Sequence, residues 1–568
     1  MKSPVDRTER FYLKLTAWIV GGVVVFAVVV WAALYGLHGW QERHLVRRAS
    51  AILGGGDLKA ASLAARRAYQ INPKSADAAR LLAQVAQRAG DSAELDWRRK
   101  VLELVPDSTD DALALVRAAM RTNDLATADR TLQAIPESRR HTASYEAALG
   151  RLAEMRGNRA EAEEHWARAA DLAPSDGAYQ TQLALIRLGS SDAIKRDAAL
   201  QALDRLRADP QQRAAATRAL IADGASRRTD PERLRTLAAD LQSFPDALFG
   251  DRVLYLEVLR QLHDPAYPTY LADMKQRAAA NPADTATLLS WMSTNGMAKE
   301  AVEFAGTLPT ETATKWPAPL ALAEAYGKLQ DWPGLQQHAS RGDWGSFDFL
   351  RHAYLARADR ATDDGVGAEQ EWAAAQKGAA AQPQALLMLA RTVAGWDWQK
   401  ERTDLLWAAT KERETRLEAL QSLYQDYAKS GDTSGLYRVL LRSIEAAPDD
   451  VKVQNNFAQV SLLLDADAER ARRIAADLVR KEPTNPAYVS TYAFGLYTSG
   501  DVDAALQAFA ALKPEQLEAP PIAAYYGIIL AARGDKTRAR EYLDRGTRAF
   551  LLPEEKALIE KARTAVQE

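Results

Sequence analysis

The residues of this chain that could do chemistry are few, and their spacing supports none of the familiar reactions. Seven histidines, His38, His44, His141, His165, His263, His338 and His352, include no pair three or four apart and no HExxH, so no helix face offers a two-histidine zinc site. Cysteine is absent, which excludes disulfides, thiolate zinc sites, iron–sulfur clusters and cysteine nucleophiles together. The stretch GGGDLKAAS from Gly54 has the glycines of a phosphate-binding loop without the Gly-Lys-Ser/Thr that must follow, and GDKT at Gly534 lacks the upstream glycine. RATDDGVGAEQE, from Arg360, places Asp364, Gly365 and Glu371 at positions 5, 6 and 12 of a calcium loop, yet Arg360 and Thr362 stand where acids are needed. Glu161, Glu163 and Glu164 read as the solvated face of a helix. No catalytic, cofactor or metal-ligating set emerges, and the chain reads as a non-enzyme that requires no cofactor.

What the sequence does repeatedly is build short amphipathic helices between turns. RGNRAEAEEHWARAADLAP (Arg156–Pro174) is rewritten as GGDLKAASLAARRAYQINP (Gly55–Pro73), SGDVDAALQAFAALKP and RGDKTRAREYLDRGTRAFLLP. In the best copy Leu149 and Gly150 lie on a first helix, Gly157 and Asn158 make the turn, Ala162, Trp166 and Ala169 mark the second helix, and Pro174 closes it. Glycine accepts the left-handed conformation that stops one helix, and the Asx side chain caps the next. This pattern resembles the tetratricopeptide repeat (TPR), a helix-turn-helix unit of 34 residues. The resemblance implies an all-α fold, an α/α superhelical solenoid whose pairs stack because none has a sufficient core alone, with a long concave groove that binds protein segments. It is strongest in two blocks, 41–190 and 415–552. Between them, 191–414 reads as degenerate TPR-like helix pairs with irregular prolines, where Trp291, Trp316, Trp332, Trp344, Trp372, Trp396, Trp398 and Trp407 are expected chiefly as core fillers. The Trp396–Trp398 pair, near a turn, is the expected exception. PEEKALIEKARTAV, within 553–568, has the proline and acids of a good helix start and is expected to cap the last repeat.

The amino terminus differs in kind. Leu15–Leu37 carries no charge, and about 20 such residues at 1.5 Å rise cross a hydrocarbon core of roughly 30 Å. Residues 15–40 are therefore read as a single transmembrane helix after a cytoplasmic tail, 1–14. The apolar run is longer than the core of a cleaved signal peptide, the competing reading. Lys2, Arg7, Arg10 and Lys14 precede the span while Arg43, Arg47 and Arg48 follow it, so the charge bias is slight. Translocating the basic tail is the harder course, which places the bulk of the chain in the periplasm of a bacterial inner-membrane protein.

With 73 Lys plus Arg against 75 Asp plus Glu, the net charge is −2 and gives no reason to expect nucleic acid as a partner. The expected function is that of a membrane-anchored TPR scaffold mediating protein–protein interaction or assembly at the cell envelope. Its partners are other proteins or peptide segments in the groove, with the lipid bilayer contacted through 15–40. The alternative is an α/α-toroid enzyme or enzyme subunit acting on envelope glycans. Transglycosylases built on rings of paired helices add a compact lysozyme-like domain with a catalytic glutamate, and the repeats here run almost to the last residue. By the resemblance, the groove-facing positions of the first block fall on Arg80, Gln84, Arg117 and Arg151, where arginines could hold carboxylates by forked hydrogen bonds. At the other end they fall on Asn455, Gln459, Phe494, Tyr497 and Ile528, suited to an apolar anchor of a bound segment. For Phe494 and Ile528 the competing expectation is packing against the capping helix.

Overall fold

The computed structural model describes Trp18 and residues 39–567, apart from 92, 228, 229, 342 and 343. The expected membrane span at 15–40 lies outside the described residues, save Trp18, Gly39 and Trp40. Among the described residues no helix is long and apolar enough to cross a membrane, and none forms a strand. The fold is all-α, and it divides into two compact units, Met1–Ala202 and Leu203–Glu568. That division falls inside the helix Ala193–Leu206, within the stretch where the repeat pattern loosens.

The repeat pattern becomes geometry in the pair Ala143–Met155 and Arg159–Leu172. Gly157, at φ 73°, stops the first helix. Its amide donates to the Glu154 carbonyl at 2.9 Å and the next amide, that of Asn158, reaches back to Ala153 at 2.9 Å, the two bonds of a Schellman cap. The Asn158 side chain then accepts from the Glu161 amide, so one dipeptide ends one helix and starts the next. Asp57, Asp124, Asp432, Asp501 and Asp535 perform the same N-cap service in their own pairs, each worth about 1 kcal/mol.

The two helices approach closely because of what they carry. A methyl group at Gly150 would lie 3.0 Å from the Trp166 indole, so glycine alone lets that ring seat against the first helix. Trp166 is 7 % exposed, and Ala162 and Ala169 are fully buried beside it. Its Nε1 donates to Glu154 Oε1 at 3.1 Å, which satisfies the one polar atom the ring takes inside.

The middle region continues as pairs, among them Ala318–Leu329 with Trp332–Arg341, Asp348–Ala361 with Gly365–Ala380, and Pro383–Ala394 with Gln399–Ala409. Its prolines look irregular because several, such as Pro282 and Pro383, open first helices, where the missing amide costs nothing. Trp344 and Trp398 are core, and Trp316, Trp332, Trp372, Trp396 and Trp407 are half-buried around the same core. At the carboxy terminus Pro553–Gln567 is a helix with Glu554 and Glu555 in its first turn. It packs on Pro520–Arg533 and Lys536–Gly546.

Candidate functional site

In the first unit, Ala76–Ala89, Thr109–Arg121 and Ala143–Met155 are the first helices of consecutive pairs, and they carry the four expected groove residues. Arg80 is engaged within the chain. Its Nε donates to Asp111 Oδ1 at 3.0 Å, its Nη2 to Asp111 Oδ2 at 2.7 Å and its Nη1 to Asp77 at 2.7 Å. The forked bond from Arg80 holds the buried Asp111 carboxyl below its usual range, and the carboxylates raise the guanidinium in turn. Arg80 thus ties one first helix to the next. Arg151 pairs with Glu154 on its own helix at 2.7 Å but stays exposed, and an exposed pair of this kind opens at little cost. Gln84 is exposed.

Arg117 is different. It makes no ion pair or hydrogen bond among the described residues. Solvent reaches it, yet surrounding protein desolvates it, and that burial together with the nearby Arg98 and Arg121 pushes its guanidinium down from its ordinary value. The two neighbouring arginines share a single buried carboxylate. Glu94, 7 % exposed, takes Arg121 Nη2 at 2.5 Å and Arg98 Nε at 3.5 Å. Arg98 Nη2 also donates to Gln87 Oε1 at 3.2 Å. Arg98 and Arg121 therefore converge on Glu94, while Arg117 feels the charge of Asp110 without bonding to it. Tyr179 lies near enough to interact with it electrostatically. Arg98 and Arg121 were not among the expected residues. The WRRK run at Trp97–Lys100 marked the former, but nothing in the sequence showed which way it faces.

In the second unit the structure brings Asn455, Gln459, Phe494, Tyr497 and Ile528 together, and covers most of them. Ile528, 3 % exposed, packs with Ile559 and Ala562 of the last helix. Phe494, 2 % exposed, meets Tyr525 edge-on at 4.9 Å between ring centroids and shares a core with Val566. Gln459 Nε2 donates to the Tyr525 hydroxyl at 2.9 Å and to Glu555 Oε1 at 3.1 Å. Tyr525 donates to the same carboxylate, whose other oxygen accepts the Leu552 amide at 2.8 Å. Burial beside this carboxylate holds the Tyr525 hydroxyl far above its ordinary value. Asn455 is buried with its Oδ1 lacking a donor, and Tyr497 is half-buried between Phe494 and the last helix. The face expected to take a partner at this end is filled by the chain's own carboxy-terminal helix, because apolar side chains on a first helix take whichever cover lies nearest.

His165 is hydrogen-bonded to Glu146 at 2.7 Å, His352 to Glu371 at 2.5 Å and His338 to the Pro319 carbonyl at 2.9 Å, and no group of metal-ligating side chains occurs among the described residues.

No protein-family model matches the chain, and no curated protein does. Solved structures align with it at low identity and low TM-score. The APC/C hetero-tetramer Cut9–Hcn1 is 13 % identical over 80 % of this chain and 96 % of that one, with a TM-score of 0.30. A tetratricopeptide repeat protein from Parabacteroides merdae is 13 % identical over 44 % of this chain and 98 % of that one, at 0.25. Naa15/Naa10 bound to HypK-THB is 14 % identical over 93 % and 80 %, at 0.23. These likenesses assign neither activity nor partner to this chain.

The burial of Ile559, 1 % exposed, generates a direct test of the cover. Ile559→Ala should destabilise the second unit by about 2–4 kcal/mol, the cost of truncating a packed aliphatic side chain, measured by urea unfolding followed through tryptophan fluorescence. A loss below about 0.5 kcal/mol would mean that the helix lies loosely on the repeats.

Proposed function

We propose that the chain is a scaffold that holds other proteins on the faces of its first helices, and that it is anchored in a bacterial inner membrane with its bulk in the periplasm. The observation that carries the binding half is Arg117. An arginine that makes no hydrogen bond or ion pair among the described residues, crowded by Arg98 and Arg121 and offset only electrostatically by Asp110, is poorly compensated in the free chain, and a carboxylate from a partner would bond it directly. Arg151, exposed on the next first helix, adds a second donor for an acidic segment or a free carboxy terminus. The anchoring half is supported by the uncharged run Leu15–Leu37 and by the basic tail before it.

Partners captured by crosslinking in native membranes and identified by mass spectrometry provide the test of the site. Changing Arg117 and Arg151 to Glu should weaken their capture at least tenfold, about 1.4 kcal/mol, with helicity by circular dichroism intact. Unchanged capture would remove this surface from consideration. For the anchor, alkaline phosphatase fused at the carboxy terminus should be active in bacterial cells. Activity from a cytoplasm-dependent reporter at the same position would reverse the orientation.

A further inference from the structure

The first helix pair carries a local excess of positive charge. It consists of residues 39–54 and Leu58–Ile71, whose apolar sides meet through Ala49, Leu53, Ala61 and Ala65. Arg43, Arg47, Arg48, Lys59, Arg66 and Arg67 are all exposed on it, and none makes an ion pair among the described residues. Arg43 and Arg47 donate to carbonyls of their own helix. The pair's two acids are turned to other uses. Glu42 is buried and accepts the Ser75 hydroxyl at 2.5 Å, and Asp57 caps the second helix by accepting the Ala60 amide at 2.9 Å. The following pair, Ala76–Ala89 with Ala93–Leu104, is built differently. There Arg80, Arg98, Arg99 and Lys100 each reach an acid, so the excess is local in a chain whose net charge is −2.

Apolar side chains stand among these cations. On the second helix Leu63, 73 % exposed, shares one face with Lys59 and Arg66, and all three line a recess of about 410 Å³. Leu82, Val85 and Trp97 of the following pair line it from the other side, with Trp97 braced edge-on by Tyr69 at 5.1 Å between ring centroids. Asp91, the acid that lines the recess, accepts the Ala93 amide at 2.9 Å. On the first helix Trp40 stands exposed, as do Arg43 and Arg47, at positions that share its accessible face. Water gains nothing from an exposed leucine or tryptophan beside cations, whereas a surface that carries negative charge above hydrocarbon uses both kinds of side chain.

We propose that the first helix pair docks on the anionic headgroup surface of a phospholipid bilayer, with Lys59 and Arg66 bonding lipid phosphates while Leu63 and the recess beside it take apolar chain. Position favours a bilayer over a polyanion in solution. The pair starts at Gly39, two residues after the uncharged run ends at Leu37, so a membrane that holds the run brings its headgroups to this pair before any other. The local excess of cations and the paired cations of the next repeat fit that order, because the attraction of a charged surface fades within a Debye length, roughly 8 Å at physiological salt. This inference rests on the anchored reading and deepens it, by adding a contact of stated lipid chemistry to the anchor itself.

The chain has no cysteine, so a single cysteine introduced into the full chain carries a nitroxide label at one known place. Leu63→Cys reads the docking face and Val24→Cys the anchor, with the chain reconstituted into vesicles of phosphatidylcholine alone or with phosphatidylglycerol as about one lipid in three. Electron paramagnetic resonance measures collisions of the label with oxygen, which concentrates in hydrocarbon, and with a water-soluble nickel chelate. Phosphatidylglycerol should lower the nickel-to-oxygen accessibility ratio at position 63 about threefold or more, while the label at 24 reads hydrocarbon in both lipids. Salt at roughly 0.5 M should restore the ratio at 63, as should Lys59→Gln with Arg66→Gln, a double variant at exposed positions that bond nothing among the described residues. A ratio at 63 that ignores phosphatidylglycerol, or falls equally in the double variant, overturns the docking face, and with the label at 24 in hydrocarbon it leaves the anchor standing. A water-exposed label at 24 overturns the anchor alone if position 63 still responds, and both readings if it does not.

Discussion

Every helix pair in this protein is short of core. A pair such as Ala143–Met155 with Arg159–Leu172 can seat Trp166 on Gly150, but its remaining apolar surface must be taken out of water by the pairs on either side. That requirement fixes which surfaces are used for stacking and which are left over. Second helices and turns serve the stack, with small residues at the crossings and Asx caps at the entries. Some positions on the first helices are released from packing, and the polar side chains that remain accessible there are the ones on which a partner can act.

The same shortage explains the difference between the two ends. In the first unit the accessible face is polar, and its arginines are unevenly matched: Arg80 bonds both Asp77 and Asp111, Arg98 and Arg121 divide Glu94, and Arg117 bonds no acid among the described residues, with Asp110 acting on it only electrostatically. In the second unit the corresponding face near the carboxy terminus is apolar, and the last helix covers it while Glu555 pins that helix through Gln459, Tyr525 and the Leu552 amide. One face keeps an arginine that bonds no acid among the described residues, whereas the other is covered from within the chain.

Much of this was legible in the sequence where the signal is local. Gly157 and Asn158 announce their turn because one residue must take positive φ and the next must cap, and Ala162, Trp166 and Ala169 announce the buried stripe by their spacing. That Arg117 stands accessible on a first helix was legible through the repeat register. The partners of the other arginines were not, since Asp111 lies 31 residues from Arg80 and such a pairing depends on how adjacent helices rotate against each other. Phe494 and Ile528 were ambiguous for a related reason: an apolar residue on a first helix reads alike whether its cover is a partner or the chain's own end.

If stacking against the next neighbour is what holds each pair, stability should be transmitted along the second unit in steps, and amide hydrogen exchange measures this most directly. Compared with the full chain, a chain ending at Leu552 should lose at least tenfold protection in Pro520–Arg533, which the last helix covers, less in Thr433–Ala446 and Val451–Leu463, which it reaches through Glu554 and Glu555, and progressively less toward Pro383–Ala394. Protection that is unchanged in Pro520–Arg533, or lost equally across all these helices, would contradict the account.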